Sequence, residues 1–241
     1  MASNNDLIMG VFRGKYTTKK LPVTYYRGVS ADLMAAVDKG IGADKAFADL
    51  AESLKLNAQA FAGAKTYNLV RDLQTAAQGV KNFKDFEPIG NAIYNKYEGW
   101  ADAEDNTAVQ QTLQAKQWQI ITEDSDLFPL LKYSTIGDAC QICRPLDGIV
   151  APVNSPIWRK IYPCNHYNCY CIVTQETQGS AELTEKGRLM QVVGDSEKLM
   201  SPVFLTNAGI TKQLFNKDHP YFDVPKGDRK FAKENFGLPI K

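Results

Sequence analysis

Apolar side chains return every three or four residues between Ser30 and about Ile121, the period of helices with one buried face. Ser30 reads as an N-cap ahead of Leu33, Met34 and Val37, and a second helix after Gly42 puts Phe47, Leu50 and Leu54 on one side. Thr66 to Ala77 repeats the device with Leu69, Val70 and Leu73, and Gly79 ends it. The clearest period predicts a helix from about Asp85 to Tyr97, with Phe86, Ile89, Ile93, Tyr97 and Trp100 in one packed stripe and Pro88 in its first turn. A last long helix is expected from Asp102 to Ile121, carrying Val109, Leu113 and Trp118.

Beyond the acidic turn Glu123 to Asp126 the texture changes to short apolar runs broken by Gly, Pro and Asn. Leu127 to Ser134, Gly148 to Val153 and Cys171 to Thr174 read as strands. Ahead of Ser30 there is no sustained period, which predicts an extended arm with one short strand at Val23 to Tyr26. Past Ser180 weak helical character near Glu182 to Met190 gives way to a tail of aromatic, Pro and Lys residues. The expected fold class is α+β: an extended arm over 1–29, a helical domain over 30–121, a small stapled α+β module over 122–180, and a helix with an extended tail over 181–241.

Composition adds little. The 241 residues are 44% hydrophobic and 23% charged, an ordinary globular balance, and 28 basic against 27 acidic residues leave a net charge of +1. No general field draws the chain to nucleic acid or an anionic membrane, so such a contact would rest on a local patch such as Lys212, Lys217, Lys226, Arg229, Lys230 and Lys233. The start lacks the apolar core of a secretory signal, and no apolar run reaches the roughly 18 residues of a membrane span. Assembly in a reducing cytosol is therefore expected, where closely spaced cysteines are metal ligands or redox groups more often than disulfides.

The cysteines carry the chemistry. All five, with one of the two histidines, fall between Cys140 and Cys171. Cys140-Gln-Ile-Cys143 presents two thiolates to one centre, and His166-Tyr-Asn-Cys169 repeats that spacing, followed by Cys171. Two such turns supply the four N/S donors of a closed structural zinc site, and the mixture of imidazole with thiolate favours Zn²⁺ over copper or an iron–sulfur cluster. Cys140, Cys143, His166, Cys169 and Cys171 compete for four places, with Cys171 and His166 rivals for the last. Cys164 lies outside both turns and reads as a free thiol. The same cysteines could instead be buried and reduced, with His166 a capped, hydrogen-bonded side chain.

No HExxH, GxSxG, P-loop or GxGxxG pattern is present, so no catalytic constellation emerges and a non-enzymatic chain is expected. His219, in Asp218-His219-Pro220-Tyr221, reads as a turn or tail contact. Asp138 and Asp147 flank the CxxC and could form a carboxylate pair, although Asp147-Gly148 is also a common turn.

Tyr133-Ser-Thr-Ile-Gly-Asp138, Cys140-Gln-Ile-Cys143, Leu146-Asp-Gly148, Pro152-Val-Asn-Ser-Pro-Ile-Trp158 and the run from Pro163 to Cys171, in that order, resemble the phage Mu F-like minor head proteins, also called phage head morphogenesis proteins. Upstream Phe61 to Tyr67 and Thr107 to Val109 with Trp118, and downstream Phe215 to Phe222, extend the similarity over roughly residues 58–225. Two departures stand out: Tyr170 replaces the usual Arg between the last two cysteines, and Tyr162-Pro163-Cys164 replaces a Pro-Pro pair. The resemblance implies a low-copy structural component of the virion head or neck, assembled in the bacterial host cytoplasm. Its implied partners are portal and major capsid proteins and packaged DNA, without a membrane. Readings from other classes are a nucleic-acid-binding zinc module, and an enzyme or toxin carried on a head-protein module.

Overall fold

The computed structural model describes residues 4–137 and 140–240. Asp138, and with it the proposed Asp138/Asp147 pair, lies outside the described residues. The chain is mostly helical with one small antiparallel sheet, an α+β composition. Five helices come first: α1 (Asn4–Phe12), α2 (Val23–Ile41), α3 (Ala48–Ala77), α4 (Phe83–Glu98) and α5 (Ala101–Glu123). Then follow β1 (Leu130–Ser134), β2 (Val150–Pro152), β3 (Ile172–Glu176), α6 (Lys186–Leu199), α7 (Ala208–Thr211) and α8 (Arg229–Lys233). Among the described residues no helix is long and apolar enough to cross a membrane.

Two compact units share this chain. One comprises residues 1–35, 55–105 and 219–241, the other residues 36–54 and 106–218.

In the first unit the middle of α3 is enclosed on every side, with each residue from 61 to 70 buried. A helix without a solvent face must satisfy its polar residues internally. Thr66 Oγ1 donates to the Ala62 carbonyl at 2.7 Å, Asn68 Nδ2 donates to the carbonyls of Ala64 and Tyr221 at 2.7 and 2.8 Å, and Lys65 pairs with Glu104. Gly63 is required here, since an added Cβ would lie 2.4 Å from Asn235 Oδ1.

Several expectations for this unit are corrected. The arm before Ser30 is not extended. Leu7, Ile8 and Val11 bury one face of α1 against α4, where Ile8 packs on Gly90 and the Phe12 and Phe86 rings stack at 5.2 Å. Val23 to Tyr26 is the first turn of α2 rather than a strand. Pro22 ends the preceding segment and opens the helix, which overrides the β propensity of Val-Thr-Tyr-Tyr. Ser30 accordingly sits inside α2, buried, and not at its cap. Thr66 to Ala77 is no separate helix but the end of the unbroken α3, because nothing between Leu54 and Thr66 caps or breaks it; Gly79, at φ +80°, does stop the chain.

Helix α4 begins at Asn82, whose side chain accepts the Asp85 N–H at 3.0 Å, so Pro88 falls in the second turn. Its buried face is Phe86, Gly90 and Tyr97, while Ile89 and Trp100 remain 43% and 41% exposed. The C-terminal segment is packed rather than a loose tail: Tyr221, Val224, Phe236 and Leu238 are buried, the Phe236 ring stacks on Tyr67 at 4.7 Å, and Tyr221 stacks on Tyr97 at 5.7 Å. Its cations Lys226, Arg229, Lys230 and Lys233 are exposed.

The second unit is built on the sheet, in the order β2-β1-β3 with both pairings antiparallel. Leu131 and Tyr133 of β1 alternate with exposed Lys132 and turn inward beside Ala151 and Val173. Trp118 and Ile121 of α5, Trp158, Ile161 and Tyr162, and Val193 of α6 complete the core, and Cys143, Cys164, Cys169 and Cys171 lie within it. All three expected strands are present with shifted ends. The helix expected near Glu182 to Met190 starts later, because Glu185 caps it by accepting the N–H groups of Gly187 and Arg188.

Candidate metal centre

Each half of the cysteine cluster is held by local backbone structure. Cys140 and Cys143 bracket a turn closed by the Arg144 N–H to the Cys140 carbonyl at 2.9 Å, and Cys143 opens a short 3₁₀ turn over Arg144–Leu146 with Pro145 at its start. Helix α6 fixes the turn from outside, since the buried Ser196 Oγ donates to the Ile142 carbonyl at 3.0 Å. The second half bends at Asn168, whose φ of 56° is a left-handed conformation that asparagine tolerates. The Asn168 N–H reaches Thr107 Oγ1 at 3.5 Å, and Gln114 Nε2 of α5 donates to the Cys171 carbonyl at 3.3 Å.

The five residues singled out from the sequence come together. Cys140, Cys143 and His166 form one group of ligand atoms mutually within 4.8 Å, and Cys143, Cys169 and Cys171 form a second. Cys143 belongs to both, and its sulfur lies 4.0 Å from that of Cys169. Ligand atoms about 2.0–2.3 Å from one tetrahedral ion stand roughly 3.3–3.8 Å from one another, so each group has spacings near those of a shared ion, with Cys143 common to both. A metal ion could be held here.

Charge is distributed unevenly across the cluster, with Cys140 and Cys169 held down and Cys143 and Cys171 pushed up. At Cys140 burial pushes the thiol up, yet the N–H groups of Cys143 and Ile142, aided by His166, bring it below its ordinary range. Cys169 collects negative charge: Cys143, Cys164 and Cys171 hydrogen-bond to it and hold its thiol far down, against burial, with His166 adding to them. Cys143 is correspondingly pushed up, first by Cys169 and then by Cys171. For Cys171 the contact with Cys143 draws the thiol down, while Cys169 and burial outweigh it. His166 rises to about 9 through its contact with Cys169, with burial opposing and the Tyr167 carbonyl helping.

The His166 tautomer follows from the same geometry. Its Nδ1 lies 2.8 Å from the Tyr167 carbonyl oxygen, which can only accept, so Nδ1 carries the proton. With the imidazole raised to about 9, Nε2 is protonated as well near neutral pH, and a bound ion would take the place of that proton while the carbonyl behind the ring orients the imidazole.

Cys164, read as a free thiol apart from the cluster, borders it. Its side chain is fully buried, its Sγ lies 3.6 Å from the Cys169 carbonyl, and Cys169 with burial pushes its thiol well up. Framework residues that the spacing rules do not name are Tyr133 and Asn165. Asn165 Nδ2 donates to Tyr133 Oη at 2.9 Å and to the Ile161 carbonyl at 3.1 Å, fixing the loop ahead of His166. Both stand in the quoted motif segments, which was the available signal.

Asp147 serves the turn that precedes Gly148. Its Oδ1 accepts the N–H and hydroxyl of Thr135 at 2.8 and 3.0 Å, and Gly148 takes φ +74°. His219 is a buried contact in the first unit: Nδ1 accepts the Tyr221 N–H at 3.2 Å, and its ring packs edge-on against Phe61 at 4.8 Å. Comparison with family models, with curated proteins and with solved structures finds no match for this chain.

Proposed function

We propose that the chain is a structural minor head protein of a tailed bacteriophage, a low-copy virion component that acts in head morphogenesis by docking on portal or major capsid protein. One observation carries the reading. The segments that resemble the Mu F-like family are scattered from Tyr133 to Cys171, and they line one core: Tyr133, Cys143, Leu146, Trp158, Cys169 and Cys171 all belong to the same buried cluster. A motif set of that kind specifies a rigid module rather than a reaction centre.

Zinc is the ion proposed for the cluster, held by four of Cys140, Cys143, His166, Cys169 and Cys171. Bound there, it supplies no reaction step; it ties the two cysteine turns together and adds folding free energy on the order of 10 kcal/mol. The protein's own contribution is to present the sulfurs through the α6 and Asn165 contacts. Docking then rests on surface complementarity, and the exposed cations near α8 are available to packaged DNA.

Purified particles of the phage encoding the chain provide the test. Mass spectrometry of the virions should find it at a few copies per particle, and imaging should place it at the head or neck. Complete particles that lack the chain would contradict the proposal, as would a catalytic activity abolished by a substitution that leaves folding intact.

A further inference from the structure

The first unit holds a cavity of about 370 Å³ that neither the metal centre nor the proposed assembly role uses. It lies beside α2 and α4, and its volume is in the range of small-ligand sites. Its walls combine aromatic rings with acid. Tyr16, Tyr25 and Tyr94 supply the rings, and Asp32, Glu98, Glu104 and Asp105 supply four carboxylates against one ammonium, that of Lys65. Lys65 is already paired with Glu104 at 2.5 Å, and Asp32 and Glu98 add negative formal charge to the walls.

The groups are fixed in advance. Tyr25 Oη donates to Glu98 Oε1 at 3.0 Å, which positions that carboxylate and leaves it acceptor capacity. The Tyr25 and Tyr94 rings meet edge-to-face at 6.0 Å, and the Tyr16 ring rests on Gly10, where an added Cβ would lie 2.6 Å from it. Half-buried tyrosine faces beside carboxylates attract a cation through the ring quadrupole as well as through charge. Among the described residues no three carboxylates converge within 4.8 Å, whereas the cysteine cluster does so twice. That spread disfavours a bare metal ion and suits a cation carried on an organic stem, whose methylene groups can lie on the rings.

We propose that this cavity is a binding site for a primary alkylammonium group, supplied by a free polyamine or by a lysine side chain of a neighbouring protein. The full-length protein is titrated calorimetrically with spermidine and, separately, with Nα-acetyl-lysine N-methylamide. Glu98→Gln removes the exposed charge while leaving an acceptor for Tyr25. Gly28→Leu fills the wall from α2, where an added Cβ meets nothing within 4 Å. Glu182→Gln, an exposed acid of the other unit, serves as control.

One-to-one binding of at least one probe is expected, weakened about tenfold or more by Glu98→Gln and by Gly28→Leu and unchanged by Glu182→Gln. The tighter of the two probes identifies the source. Thermal melts establish that each variant folds, and should Gly28→Leu not fold, Glu98→Gln decides alone. No saturable binding of either probe, or binding that Glu98→Gln leaves untouched, overturns the proposal.

Discussion

Lys65 Nζ and Glu104 Oε2 stand 2.5 Å apart with side chains only 1% and 5% exposed, and Tyr221 Oη donates to the second Glu104 oxygen at 3.2 Å. Burial pushes the Glu104 carboxyl up, and Lys65 works against that rise. A pair so placed is expensive to break from one side, because the survivor is left charged and unsolvated. Lys65→Met or Glu104→Leu alone should destabilise the protein by about 3–5 kcal/mol in denaturant titrations. The double variant should cost clearly less than the sum of the two. Additive losses would mean that the two groups do not share one interaction.

His219 sets a pH dependence. Burial first, and then the Lys65 ammonium, push its imidazole down from 6.5 to about 4. The unfolded chain therefore takes up a proton near pH 6.5 that the folded protein refuses until about pH 4. Stability from this group is complete above pH 6.5, falls as pH drops through that window, and levels off below it, by on the order of 3 kcal/mol in total. Unfolding measured at pH 7, 5.5 and 4.5 should show the slope, and His219→Gln should flatten it. Comparing variant with parent isolates this group from Glu104, whose raised carboxyl acts in the opposite sense. Parallel curves for the two proteins would refute the assignment.

Two glycines of the second unit make a steric contrast. At Gly209 of α7 an added Cβ would lie 2.4 Å from the Trp118 Cβ, whereas at Gly194 in α6 it meets nothing within 4 Å. Gly209→Ala should cost about 1–3 kcal/mol through displacement of Trp118. Gly194→Ala should instead gain roughly 0.5–1 kcal/mol from helix propensity. Calorimetric melts of the two variants read the opposite signs directly.

What the sequence discloses depends on how local the cause is. The cysteine and histidine spacing is local, and the chain brings together the same five residues that the spacing selects. Pro22 is also local, yet the Val-Thr-Tyr-Tyr run after it reads as strand until the burial of Tyr26 within a helix is known. The burial of Lys65 has no signature, because Glu104 lies on another helix and Tyr221 close to the C-terminus. The same holds for the C-terminal segment. Phe236 and Tyr221 look like tail residues until Tyr67 and Tyr97 provide rings to cover them. Cys164 sits between two spacing rules and matches neither, and the fold alone brings it against Cys169.

The central claim is that one ion closes the cysteine and histidine cluster and staples the second unit. Elemental analysis of the full-length protein, purified under reducing conditions without chelator, should return about one equivalent of zinc per chain. Cys143→Ser, at the residue common to both ligand groups, should lose that metal and melt well below the parent. A metal-free parent protein whose melting temperature is unchanged by added zinc, by chelator or by Cys143→Ser would contradict the claim.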